Sequence, residues 1–523
     1  MRFKTIKIQV FVLVAFLLPF GGCAKNKARI TTPVITDKSI TISVDLAKTY
    51  QTIDNFGASD AWSCQFIGRW PDAKKNAIAD LLFSKELSAD GQPKGIGLSI
   101  WRFNIGAGST QQGDQSGIAD EWRRAPSFLN VDGTYNWNNQ DGQLWFLQAA
   151  KARGVEQFLA FPNSPPVQFT INKKAYATSG VPNLAPDKFE AFAGFLTDVI
   201  KGVQTASGIV FDYISPVNEP QWDWSDGGQE GTPFKNSDIS GIVKSLNTSL
   251  VAKHLPTKIA TVEAGQYDFL YGDHSKPQVG SQIDAFFNPA SANYIGDLPS
   301  VEKLISAHSY FTTSPFTNAV SIRQQLATKT ASVNGLKFWQ SEYCILGDNA
   351  GEINGNKRDL GITSALYLAK VIHNDLVNAN AAAWHWWVAI SPYDYKDGLI
   401  YVDKNKTDGN YYPSKMLWAL GNYSRFIRPG FVRIDNSVTN ANGDQLLVSS
   451  YKNIADKQVV TVVVNSSSTL ANLKVEVKNG TVSQFKMYTT SVDADLTPSG
   501  SISASQSVAI PAYSVTTLTG TYQ

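Results

Sequence analysis

The sequence predicts an α/β protein: a (β/α)8 TIM barrel with an associated antiparallel β-sandwich. Three observations carry this expectation. Apolar runs of strand length alternate with helical patterns from about residue 50 to about residue 420. Two of those runs end in a glutamate. The run Gly208–Ile214 leads into Ser215-Pro216-Val217-Asn218-Glu219-Pro220, and Leu336-Lys337-Phe338-Trp339-Gln340-Ser341-Glu342-Tyr343 repeats the design. From about residue 425 the helical signal fades, and strand-like runs such as Gln445–Tyr451, Gln458–Val464 and Ser507–Leu518 follow one another across turns.

The elements can be taken in order. Arg2, Lys4 and Lys7 precede the apolar run Ile8 to Phe20, which is too short for a comfortable membrane span and reads as an export signal over residues 1–22. Phe20-Gly21-Gly22-Cys23 reads as a bacterial lipobox with Phe20 in place of the more usual Leu, so Cys23 is expected to carry a lipid. The alternative is a plain secretory signal with an incidental cysteine. Residues 23–38 read as a polar tether. Ser39–Leu46 alternates apolar and polar residues, and residues 39–49 are expected to add a strand to the sandwich.

The barrel is assigned to residues 50–422 and the sandwich to 423–523. Eight strands are predicted: Ile53–Ala58, Leu98–Ile105, Gln157–Phe161, Phe211–Val217, Lys258–Glu263, Lys303–Ser309, Lys337–Glu342 and Ala381–Val388. Helical patterns such as Ala73–Leu82, Gln140–Ala152, Lys188–Lys201, Asp238–Lys253 and Thr363–Asn378 fall between them. In such a barrel the loops after the strands carry the site.

Composition narrows the function classes. The chain has 523 residues, 43% of them hydrophobic, which suffices for a large core. Its formal net charge is +2, and no basic stripe marks it as a nucleic-acid binder. After Cys23 only Cys64 and Cys344 remain, too few for a disulfide framework. They are expected to be separate buried thiols, with a single bridge as the alternative. The five His are scattered without zinc spacing, so neither metal nor cofactor is expected.

Paired carboxylates at one mouth of a barrel are the equipment for cleaving a glycosidic bond. Glu219 is assigned as general acid/base and Glu342 as nucleophile. Asn218 is placed to bind the hydroxyl beside the anomeric carbon. Glu263, in Thr261-Val262-Glu263-Ala264-Gly265, is a competing strand-end carboxylate, expected to support the pair or line a subsite. Arg102 lies in an otherwise apolar strand and must find partners, so it is expected to hold the nucleophile ionised. Asn104 ends the same strand and is a candidate for binding sugar or a catalytic carboxylate. Tyr310 is placed to donate to the nucleophile. His308 reads equally as a core histidine or a site residue.

The chain resembles glycoside hydrolase family 30, a clan A group with a (β/α)8 barrel and a β-sandwich built partly from N-terminal strands. The residues that carry the likeness are Asn55-Phe56-Gly57-Ala58-Ser59-Asp60-Ala61-Trp62, Trp101–Ser109, Ser215–Pro220 and Gln340–Tyr343. The resemblance implies the same roles for Glu219 and Glu342. Asp120-Glu121-Trp122-Arg123-Arg124-Ala125, Phe161–Pro166 and Gln221–Gly231 look most like the endo-β-1,6-galactanase branch. Arg123 and Arg124 keep a glucuronoxylanase reading open.

Aromatic side chains are expected to seat the sugar. Trp222 and Trp224 follow Glu219, Trp62 follows the first strand, and the eighth strand holds Trp384, His385, Trp386 and Trp387. Strand alternation lets only one pair of these four face the pocket; Trp384 and Trp386 are taken as that pair, with Asp60 among the substrate-binding residues. The expected protein is a monomeric, lipid-anchored retaining endo-glycosidase of the bacterial cell envelope. It would meet the membrane only through that anchor and act on β-1,6-galactan side chains of arabinogalactans. Alternatives are a β-1,6-glucanase, xylanase or glucosylceramidase-like enzyme of the same family, and a non-catalytic glycan-binding lipoprotein.

Overall fold

The computed structural model describes residues 40–440 and 443–523. The signal, the Cys23 lipobox and the tether lie outside the described residues. Among the described residues no helix is long and apolar enough to cross a membrane.

The strands run in chain order β1 (Ile40–Thr52), β2 (Asn55–Ser59), β3 (Ile100–Ile105), β4 (Gln157–Pro162), β5 (Tyr213–Ile214), β6 (Lys258–Ile259), β7 (Glu263–Ala264), β8 (Leu304–His308), β9 (Lys337–Glu342) and β10 (Ala383–Ser391). There follow β11 (Gly398–Val402), β12 (Tyr411–Pro413), β13 (Val432–Thr439), β14 (Leu446–Asn453), β15 (Gln458–Asn465), β16 (Ala471–Lys478), β17 (Gln484–Thr490), β18 (Thr497–Ser503), β19 (Val508–Ile510) and β20 (Ser514–Thr521).

The barrel sheet has the order β6-β5-β4-β3-β2-β10-β9-β8-β7. Its ends meet because β6 and β7 are halves of one predicted strand: Lys258–Ile259 pairs with β5, and Glu263–Ala264 pairs with β8. The fourth predicted strand shrinks to two residues. Pro216 has no N–H to give a ladder, and only an isolated Asn218–Glu263 bridge continues the pairing. This shortening frees the backbone around Glu219 to turn.

Alternation along β3 explains the layers. Trp101, Phe103 and Ile105 point outward into the core shared with the helices, whereas Ile100 joins Leu159, Ala260, Leu304, Trp339 and Ala383 inside the barrel floor. Arg102 shares the inward face with Ile100, one step nearer the mouth.

The second sheet runs β18-β17-β20-β15-β14-β13-β1-β16-β19 and curls over its own core of Ile42, Val44, Val463, Leu473, Phe485 and Leu518. β1 pairs antiparallel with β13 and parallel with β16, so the sheet is mixed where an all-antiparallel sandwich was expected. Ser39–Gln523 form one compact unit. The expected boundary at 422 falls inside the helix Lys415–Ser424. There Asn422 Nδ2 donates to Thr517 Oγ1 at 2.9 Å, and Thr517 Oγ1 donates back to Asn422 O at 2.7 Å. Cys64 and Cys344 are free and buried.

One buried charge organises the outer wall. Asp375, on the helix Ile362–Asn378, accepts from Arg323 Nε at 2.7 Å, Tyr267 OH at 2.8 Å, Ser309 Oγ at 2.9 Å and Trp384 Nε1 at 2.8 Å. Neither Asp375 nor Arg323 has exposed side-chain surface. Asp375→Ala leaves the Arg323 guanidinium unpaired, and a destabilisation of about 3–5 kcal/mol is expected in denaturant unfolding. A loss below about 1 kcal/mol, the size of an ordinary surface pair, would contradict this account.

Candidate active site

Arg102 is the hub of the barrel mouth. It is fully buried, with its guanidinium carbon 3.5 Å from the Phe161 ring centroid. Nη1 donates to Glu342 Oε2 at 2.8 Å, and Nη2 donates to Glu263 Oε2 at 2.9 Å and to Asn218 Oδ1 at 3.1 Å. A planar fork reaches three strand ends at once, which a lysine cannot do.

Backbone irregularities aim the two glutamates. Between β8 and β9 the register advances by one residue, so that His308 faces Glu342 and Ser341 is the extra residue. This bulge turns Glu342 toward the mouth. Glu219 has φ +45°, a left-handed conformation strained for a residue that carries a Cβ. Its N–H donates to Glu263 O at 2.8 Å, and its carbonyl accepts from Trp224 Nε1 at 3.0 Å. These contacts hold the turn.

His308 joins the pair. Its Nδ1 lies 2.8 Å from Glu219 Oε1 and 3.5 Å from Glu342 Oε1, and Nε2 lies 3.5 Å from Glu263 Oε2. Tyr310 OH donates to Glu342 Oε1 at 3.0 Å. Burial opposes charge on His308, but the carboxylates of Glu342 and Glu219 outweigh it and push the ring up to about 10. Burial likewise opposes charge on Glu263, where Arg102 and His308 prevail and hold the carboxyl at about 2. Burial pushes the Glu342 carboxyl upward; His308 and Arg102 pull against it, and Glu219 and Glu263 add to it. A net upward shift is what two close carboxyls sharing one proton produce.

Glu219, His308 and Glu342 each offer a ligand atom within 4.8 Å of the others, a spacing that would also suit a metal ion.

A cavity of about 380 Å³ opens onto Glu219 and Glu342. Asn218, Tyr310, Trp222 and Trp224 line it, as the sequence led us to expect. Arg102, Glu263 and His308 sit beneath it, reaching the reacting carboxylates from behind. Trp62 is buried and supports the wall, meeting Trp387 edge-on at 5.2 Å.

Four expectations are corrected. Trp384 and Trp386 are fully buried on the outer face of β10, donating to Asp375 Oδ2 and to Asp397 O, and are not sugar platforms. The pocket-facing tryptophan of that strand is Trp387, on the face opposite Trp384 and Trp386. Asp60 is buried away from the cavity and accepts from Asn104 N at 2.7 Å, with burial pushing it up to about 8. Asn104 is equally buried, and its carbonyl accepts from Gln140 Nε2 and Gln143 Nε2. Both brace the loop rather than meet a ligand.

Sequence reasoning missed Phe311, Cys344, Leu346, Tyr395 and Asp397, all of which line the cavity. Phe311 is 58% exposed at φ +60° and stands edge-on to Trp222 at 5.9 Å. An aromatic run after a strand end was the available signal for Phe311; none marked Asp397.

A (β/α)8 barrel with two buried glutamates facing one cavity across its mouth defines a glycoside hydrolase. The family model described as O-Glycosyl hydrolase family 30 matches residues 39–401, and the chain belongs to that family. An endo-β-1,6-galactanase of Hypocrea rufa is 25% identical over 476 residues, 86% of this chain and 89% of that protein. A glucuronoxylanase of Bacillus subtilis (strain 168) is 33% identical over 398 residues, 75% of this chain and 80% of that protein. The crystal structure of a conserved exported protein from Bacteroides fragilis is similar at a TM-score of 0.85 and 34% identity, covering 92% of this chain and all of that one.

Arg102→Lys keeps one positive charge but loses the fork. Arg102 pulls the Glu342 carboxyl down, so weakening it lets that carboxyl rise further. The acid limb of the pH profile of kcat/KM should then move to higher pH, with a loss of about 10- to 100-fold at the wild-type optimum. An unmoved acid limb with a normal melting temperature would remove Arg102 from control of Glu342.

Proposed function

We propose that this glycoside hydrolase is a retaining endo-β-1,6-galactanase, acting on arabinogalactan side chains by double displacement. The observation that carries the mechanism is carboxyl spacing. Glu219 and Glu342 each have an oxygen within 4.8 Å of the other's. Retaining enzymes hold their carboxyl groups at about 5–5.5 Å, whereas inverting ones leave room for a water at about 6.5–9.5 Å.

In the first step Glu342 Oε attacks the anomeric carbon, and the bond to the leaving oxygen breaks. Glu219 gives that oxygen its proton. In the second step Glu219 takes a proton from water, the water oxygen attacks the same carbon, and the ester to Glu342 breaks. Asn218, held by Arg102 and by Asn163 Oδ1 at 3.2 Å, presents its amide to the cavity beside Glu219. That amide suits the hydroxyl next to the anomeric carbon.

The choice of β-1,6-galactan is supported by the Hypocrea rufa relative, which matches over nearly the whole chain, and by the three segments that resemble the galactanase branch. The Bacillus subtilis relative supports xylan as the second reading. We further propose export and lipidation at Cys23, supported by the signal-like N-terminus and by the similarity to an exported protein.

Incubation with debranched β-1,6-galactan should give a ladder of short β-1,6-galacto-oligosaccharides, and NMR of the earliest product should show the β anomer. An α anomer appearing first would sink the double displacement. Release of galactose alone would mean exo action, and no products would discard galactan. Glu342→Gln should lose activity by several orders of magnitude while still binding oligosaccharide, and undiminished hydrolysis would reject Glu342 as nucleophile.

A further inference from the structure

Asp397 lies in the loop between β10 and β11 and lines the cavity that Glu219 and Glu342 share. It is only 5% exposed, and its Oδ1 has no hydrogen-bond partner among the described residues. A buried carboxylate oxygen without a donor is costly, because it has given up water and received nothing. The backbone that carries it is nevertheless fixed. Trp386 Nε1 donates to the Asp397 carbonyl at 2.6 Å, which fixes the loop. Burial pushes this carboxyl up to about 6, against the pull of Ser391 and Arg123.

Arg123 lines the same cavity. Its guanidinium carbon lies 4.7 Å from the Trp62 ring centroid and 4.6 Å from that of Tyr393, and Nη1 donates to Gln229 Oε1 at 3.4 Å. Contact with the two rings uses the faces of the guanidinium and leaves edge donors for a ligand. The wall therefore offers one acceptor and one set of donors, with opposite charges that cancel. A neutral sugar satisfies both with its hydroxyls, each of which donates and accepts. A uronic acid satisfies Arg123 but sets its own carboxylate against Asp397.

We propose that Asp397, with Arg123 beside it, is a specificity-determining residue: its free Oδ1 accepts from a ring hydroxyl of the sugar seated on Glu342, and the pair selects a neutral hexose over a uronic acid. This deepens the glycosidase reading above and rests on it.

The test uses 4-nitrophenyl β-1,6-galactobioside and analogues that each lack one ring hydroxyl, O3 or O4, of the galactose next to the leaving group. Asp397→Ala should lower kcat/KM on the parent by about 10- to 100-fold, the worth of a hydrogen bond to a charged group. Asp397→Asn, which keeps the oxygen and the shape, should lose less. One of the two analogues should be cleaved equally by wild type and Asp397→Ala, because the hydroxyl that Asp397 binds is already absent. Equal losses on the parent and on both analogues would assign Asp397 a merely structural role and overturn the proposal. So would a loss on the parent below about threefold, with a normal melting temperature. If wild type ignores the galactobioside but cleaves the glucobioside, the galactan reading falls. The same comparison on the glucobioside series then decides the role of Asp397 independently.

Discussion

The fork of Arg102 is the interaction on which the rest of the mouth depends. Three carboxyl groups, from Glu219, Glu263 and Glu342, meet in a space nearly closed to water. Their mutual repulsion would open the barrel unless cations stood between them. Arg102 spans Glu263 and Glu342 directly, and it orients Asn218 with the same nitrogen that meets Glu263. A residue on β3 thereby fixes the relative position of groups from three other strand ends. The fully buried position of Arg102 makes this arrangement unforgiving, since a guanidinium without these partners has no water to fall back on.

The backbone contributes through its departures from regularity. A strand that kept strict alternation would send Glu342 the way of Gln340, away from the mouth. The extra residue at Ser341 reverses this. Glu219 uses a different device, a left-handed turn after a strand cut short at Pro216. Its carbonyl and N–H are taken up by Trp224 and by the backbone of Glu263. Strain at Glu219 is thus held by a loop that also supplies cavity-lining aromatics.

Much of this was legible in the chain. The eight strand runs, their order and the two strand-end glutamates follow from apolar runs bounded by turn residues, signals that a barrel makes strong because its strands are buried on both faces. Arg102 was legible for the complementary reason: a guanidinium inside an apolar strand must be paired. Alternation correctly grouped Trp384 with Trp386, yet nothing in sequence says which face of a doubly buried strand is inward, since both faces are apolar. Asp60 and Asn104 looked like site residues because they are polar at strand ends. In the structure Asp60 accepts from the Asn104 main-chain N–H, and the Asn104 amide donates to the Phe161 carbonyl of β4. Asp397 lies in a connection whose position depends on Trp386, and no local pattern reports such a contact.

Charge accounting ties the cluster to its chemistry. With Glu263 held ionised and His308 held protonated, the five groups Arg102, His308, Glu219, Glu263 and Glu342 reach neutrality with one proton on the Glu219–Glu342 pair. That is the complement a retaining glycosidase needs at the start of its cycle: one carboxylate to attack and one acid to protonate. Glu342 receives Arg102 on one oxygen and Tyr310 on the other, and Glu219 meets His308 through Oε1. In the proposed double displacement, esterification removes the charge of Glu342, and Glu219, having given up its proton, carries the pair's single charge when water is activated. In that scheme the cluster is neutral before attack and neutral again in the intermediate, so neither half of the reaction has to bury an uncompensated ion.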